Sequence, residues 1–169
     1  RVGWASFSGR KSNAADYFAA LELLSSLRLC SNVPAQWAVQ TALGGYQSIK
    51  ELVSPGGRLY ESRRAIANAV AASRYLDVQP MAGAMYAFIG VKTSEVPDFD
   101  DQQFGLDLLE QKHVLIAPGS SFNVPYKNHF RITNLPDATT LREVFTRIED
   151  LLASYANGSR EPAAGGGRP

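Results

Sequence analysis

Residues 129–136 read HFRITNLP, a short strand-like run that ends at a proline and carries one arginine, Arg131, between two apolar residues. A buried guanidinium has to meet an anion, because an unpaired charge away from water costs several kcal/mol. Its planar fork suits a carboxylate held through two parallel hydrogen bonds. On spacing alone, an exposed place on an edge strand or an internal salt bridge to an aspartate fits as well.

Outward from this run, the flanking segments alternate short strands with single helices. HVLIAPG (113–119) reads as a strand entering a loop, and DDQQFGLDLLEQK (100–112) as a helix. DVQPMAGAMYAFIGV (77–91) offers two strands about a Pro and Gly turn. After Pro136, a helix with an Asp/Thr start and Glu143 early in it places Leu141, Val144, Phe145, Ile148, Leu151 and Leu152 on one face. This texture from about Tyr75 onward predicts an α+β lobe.

The first part of the chain reads differently. RVGWASF (1–7) alternates as a strand, and a helix with Tyr17, Leu21, Leu24 and Arg28 at helical spacing follows, with Ser12 or Asn13 as its cap. A second helix starts at Pro34 and stops at Gly44 and Gly45. SPGGRLYESRRAIANAVAAS (54–73) reads as a connecting helix. The expected organisation is 1–46 as the end of a larger α/β domain, 47–75 as connecting helices, 76–156 as the small α+β domain, and 157–169 as a disordered glycine-rich tail.

Composition narrows the function classes. Among 169 residues, 17 basic and 16 acidic side chains nearly cancel, which gives no electrostatic reason to expect nucleic acid or a membrane surface. No apolar run reaches the length of a membrane span, and the lone cysteine, Cys30, forms no internal disulfide, so a cytoplasmic protein is expected with Cys30 as a packing residue. P-loop, G-x-S-x-G and G-x-G-x-x-G patterns are missing, and no metal site is expected from two histidines, His113 and His129. Lys11, beside Arg10 among polar residues, is expected to be solvated rather than a nucleophile.

VLIAPGSSFN followed by FRI resembles the end of class I aminotransferases, the fold type I enzymes that use pyridoxal phosphate. GAMYAF resembles that family's G-[AG]-[ML]-[YF] turn, and RVGW resembles the strand after its cofactor lysine. LRLCSNVPAQWAVQTALGGYQSI with PGGRLYESR is similar to bacterial alanine (glutamate-pyruvate) aminotransferases. The resemblance covers roughly residues 1–155.

It implies an α/β chain that forms the C-terminal portion of fold type I, with pyridoxal 5'-phosphate as cofactor and an amino acid and a 2-oxo acid as substrates. It implies Arg131 as the group that grips the substrate α-carboxylate and Tyr86 as a border of the substrate pocket, although a tyrosine among apolar residues also reads as core. Arg1 would contribute to cofactor phosphate binding, and the Schiff-base lysine would lie upstream of Arg1, so no catalytic residue is expected in this chain and the chain alone is expected to be inactive. The complete protein would be a homodimer. Arg28 and Asn32 would approach the partner subunit's active site, a reading that competes with a helix-end cation for Arg28. Ser120 and Phe122 read equally as turn chemistry and a loop anchor. Two other classes stay open: an effector-sensing domain of a transcription regulator, and a non-catalytic interaction domain.

Overall fold

The computed structural model describes residues 2–158, so Arg1 and the tail beyond Gly158 lie outside the described residues. The chain divides into two compact units, residues 1–48 and 49 onward.

In the first unit a 3₁₀ turn, Lys11–Ala14, leads into α1 (Ala15–Arg28), and α2 (Val33–Gly44) follows. Asn32 caps α2, its Oδ1 accepting the Ala35 N–H at 3.0 Å, and Pro34 occupies the first turn where no N–H is needed. Phe7, Tyr17 and Phe18 pack edge to face with centroids 5.3–6.3 Å apart. Neither helix buries a residue within this unit, and Leu24, Leu27 and Trp37 are exposed.

The first unit departs from three expectations. RVGWASF carries no strand in its described residues, because a strand exists through ladder pairing and the paired strands all lie in the second unit. The start of α1 has no side-chain cap; the 3₁₀ turn replaces it, with the Asn13 N–H donating to the Arg10 carbonyl at 3.1 Å. Cys30 is exposed, just past the end of α1, rather than packed.

The short helix α3 (Ser48–Val53) starts at the division, and α4 (Arg58–Ala72) belongs wholly to the second unit. Its residues Ser62, Ala65, Ile66 and Val70 are buried at helical spacing, and Ser62 Oγ donates to the Pro136 carbonyl at 2.7 Å. The segment expected as a connecting helix is therefore part of a core.

That core lies against an antiparallel four-stranded sheet of order β1-β2-β4-β3, formed by β1 (Leu76–Val78), β2 (Tyr86–Val91), β3 (Ala117–Pro118) and β4 (His129–Thr133). Ala87, Ile89, Val91, Phe130 and Ile132 point inward and meet α4, α5 (Asp101–Lys112) and α6 (Ala138–Ala156) through Ile66, Phe104, Leu108, Phe145, Ile148 and Leu152. Asp137 caps α6 by accepting the N–H groups of Thr139 (2.8 Å) and Thr140 (3.0 Å). The strand expected over 113–119 shortens to the two residues of β3, since only Ala117 and Pro118 pair with β4. No described helix is long and apolar enough to cross a membrane.

Candidate functional site

Strand alternation places Tyr86 and Phe88 of β2 on the sheet face opposite the core, with His129, Arg131 and Thr133 of β4. The register sets Phe88 against Arg131, Tyr86 against Thr133 and Gly90 against His129. One face of the sheet holds the unit together. The other carries its polar and aromatic groups.

Arg131 is half-buried at the centre of that outer face. Its guanidinium carbon lies 4.3 Å from the ring centroid of Tyr86 and 4.3 Å from that of Phe122, so two aromatic rings pack on the cation. Among the described residues no carboxylate forms a salt bridge with it, which removes the internal ion pair as its partner. The rings contact the cation through their faces, and guanidinium N–H groups do not find acceptors there. The arrangement suits a planar anion that takes two hydrogen bonds.

Each ring is delivered by a different local device. Tyr86 follows the turn Gly83-Ala84-Met85, in which Ala84 takes the left-handed conformation (φ 58°) that alanine ordinarily avoids. The Met85 carbonyl accepts the Asn134 N–H at 2.9 Å and the Thr133 hydroxyl at 3.1 Å, which ties this turn to the end of β4. Phe122 ends the 3₁₀ turn Gly119–Phe122, which follows Pro118 directly, and its ring stands edge-on to Phe88 at 6.0 Å. Tyr86 is 46% exposed, so it is a surface residue of the site and not core.

A cleft of about 380 Å³ adjoins Arg131 and includes Tyr86, Leu115, Ile116, Thr133 and Val144 in its lining. No lysine lines it. A larger cleft of about 470 Å³ on the neighbouring strands includes Asp77, Phe88, Lys92, Tyr126 and His129. There the His129 ring stacks on Phe88 with centroids 5.0 Å apart, and its Nδ1 lies 3.0 Å from Asn128 Oδ1. Burial pushes the His129 imidazole below its ordinary range, with Asp77 and Asp101 opposing that shift.

The remaining expected residues fall elsewhere. Arg1, the residue matched to cofactor phosphate binding, lies outside the described residues. Arg28 is an exposed cation in the last turn of α1, Asn32 is the cap of α2, and Lys11 is exposed with its ammonium 5.7 Å from the Phe18 ring centroid. No group of three or more metal-ligating side chains occurs among the described residues. Sequence reasoning missed Phe88 and His129 as neighbours of Arg131, although their two-residue spacing from Tyr86 and Arg131 was the available signal.

The family profile Aminotransferase class I and II matches residues 1–148. The glutamate-pyruvate aminotransferase AlaA of Escherichia coli (strain K12) is 41% identical over 155 residues, and that of Haemophilus influenzae 43% identical over 156; each match takes 92% of this chain and 38% of the relative. The chain thus spans well under half the length of these curated relatives. Among solved structures, an aminotransferase from Escherichia coli superposes with a TM-score of 0.82 at 41% identity, covering 88% of this chain and 37% of that one. An alanine aminotransferase from Pyrococcus furiosus superposes with a TM-score of 0.72 at 30% identity, covering 83% and 35%.

Proposed function

The chain belongs to the class I and II aminotransferase family and has the α/β architecture of fold type I, and on that premise we propose that it supplies the carboxylate-binding part of an aminotransferase. The observation that carries this reading is Arg131, a cation without an ion-pair partner among the described residues, packed by Tyr86 and Phe122 beside a cleft. Relatives named glutamate-pyruvate and alanine aminotransferases support L-alanine (or a similar amino acid) and a 2-oxo acid such as 2-oxoglutarate as the substrates. A homodimer and a cytoplasmic location belong to the same proposal.

The family implies pyridoxal phosphate, whose chemistry is to withdraw electrons from the substrate α-carbon. The described residues around Arg131 do not make its anchoring site. The cation there is an arginine, which stays protonated and forms no imine, and no lysine lines the cleft.

What the described residues do is bind and orient. Arg131 donates two parallel hydrogen bonds to a carboxylate common to the amino and the oxo substrate. The rings hold the fork in one plane, so less side-chain entropy is lost on binding than for a free arginine. Fixing the carboxylate fixes the direction of the α-carbon, and orientation of this kind lowers the barrier of any reaction at that carbon.

Substituting Arg131→Lys keeps the charge and removes the fork. In the protein that carries this chain, kcat/KM should fall on the order of 10²-fold for amino and oxo substrates alike, with KM raised and kcat lowered. Unchanged kinetics with both substrates would refute the assignment.

A further inference from the structure

Resting on the carboxylate reading of Arg131, we infer that Asp101 is a positioning residue for that site, acting through the loop that carries Phe122. Asp101 is the first residue of α5 and is fully buried. Its Oδ2 accepts the Ser120 N–H at 2.5 Å, and its own N–H donates to the Lys127 carbonyl at 3.1 Å. One residue therefore clasps both ends of segment 120–127. Gln102 adds a bond from Nε2 to Ser120 Oγ at 3.2 Å. Two residues beyond Ser120, the Phe122 ring lies on the Arg131 guanidinium.

Helix capping does not account for this carboxylate. Asp100 already caps α5, its Oδ1 accepting the N–H groups of Gln102 (3.1 Å) and Gln103 (3.0 Å). Asp101 is moreover half-satisfied, since its Oδ1 is buried without a hydrogen-bond partner. A buried acceptor of this kind opposes folding. The bond to Ser120 is what the side chain contributes, and its product is the placement of the turn that ends in Phe122.

The test uses the protein that carries this chain, with propionate as the carboxylate probe, its dissociation constant read by titration calorimetry in every variant, and steady-state kinetics alongside. Asp101→Ala should weaken propionate about fivefold, the worth of one aromatic wall on a partly solvated cation. KM for both substrates should rise by a similar factor while kcat changes less. Phe122→Leu should give the same loss, and the double variant no more than either single one, because both act on one contact. Asp101→Asn, which keeps an acceptor for the Ser120 N–H, should restore most of the affinity. Ser120→Pro removes the same bond from the loop side, and should reproduce the loss if Asp101→Ala does not fold.

A fall in melting temperature with unchanged propionate affinity in Asp101→Ala, or in Ser120→Pro where that variant stands in, would overturn the inference by making Asp101 a fold anchor only. Additive losses in the double variant would do the same. If Arg131→Lys itself leaves propionate binding unchanged, the carboxylate reading falls and this inference falls with it; if Arg131→Lys abolishes binding while the Asp101 and Ser120 variants bind normally, only the inference is lost.

Discussion

Gly119 and His129 approach so closely that a Cβ on Gly119 would stand 2.6 Å from the His129 carbonyl oxygen and 2.9 Å from its Cβ. Both obstacles are rigid parts of β4. The glycine of the P-G-S-S-F loop is thus required by space, not by an unusual backbone angle.

Gly119→Ala should push the turn off β4 and carry Phe122 away from Arg131. We expect carboxylate binding to weaken about as much as in Phe122→Leu, with a further loss of stability of about 1–3 kcal/mol from overpacking. Urea unfolding together with propionate titration measures both, and an unchanged midpoint would contradict the contact.

Tyr86 tests which part of the aromatic contact matters. Tyr86→Phe keeps the ring face over Arg131 and should bind propionate within about twofold of the parent, whereas Tyr86→Ala removes the face and should weaken binding roughly three- to fivefold. Equal losses in the two variants would assign the effect to the hydroxyl.

The sign of the His129 shift gives a pH dependence. Its imidazole is held below its ordinary pKa in the folded state, mainly by burial, so the unfolded chain binds the proton more readily. Stability is complete above the unfolded value of about 6.5 and declines as pH falls from there, levelling off below the folded value. In His129→Gln the drop between pH 7 and pH 5 should shrink. Parallel curves for the two proteins would show that other groups set the acid limb.

His113 closes α5 in the left-handed conformation (φ 55°), its N–H and that of Val114 reaching back to carbonyls at Leu109 and Leu108. That position favours glycine. His113→Gly should therefore stabilise the second unit by about 0.5–1 kcal/mol and raise its melting temperature by a few degrees. A decrease would mean that the exposed imidazole makes a contact worth more than the strain it imposes.

Legibility in the sequence followed how local each determinant is. The apolar face of α6, the alternation in β2 and β4, and the Pro and Gly limits of α2 act within a few residues and were readable. RVGWASF was misread because alternation reports a potential to pair, while a ladder needs a partner strand elsewhere. For α4, charge and alanine content suggested a strut, yet four inward residues among them sufficed to join a core. At the site, Arg131 and Tyr86 were singled out, but their contact depends on register across β2 and β4 and on a turn delivering Phe122. Asp101 was hidden beside Asp100: two adjacent aspartates at a helix start look alike in sequence, and only the packing separates the cap from the clasp.

The strict alternation of β4 makes length, rather than composition, its vulnerable property. Substitutions at 129, 131 and 133 can retune the outer face while Phe130 and Ile132 keep the core intact, so the chemistry has room to diverge without refolding. A single-residue insertion or deletion within β4 has no such graded outcome. It would turn a guanidinium toward Phe104 and a phenyl ring toward the outer face in one step. Among descendants of this sequence, β4 should accept exchanges on its outer face more readily at 129 and 133 than at 131, and tolerate no gaps.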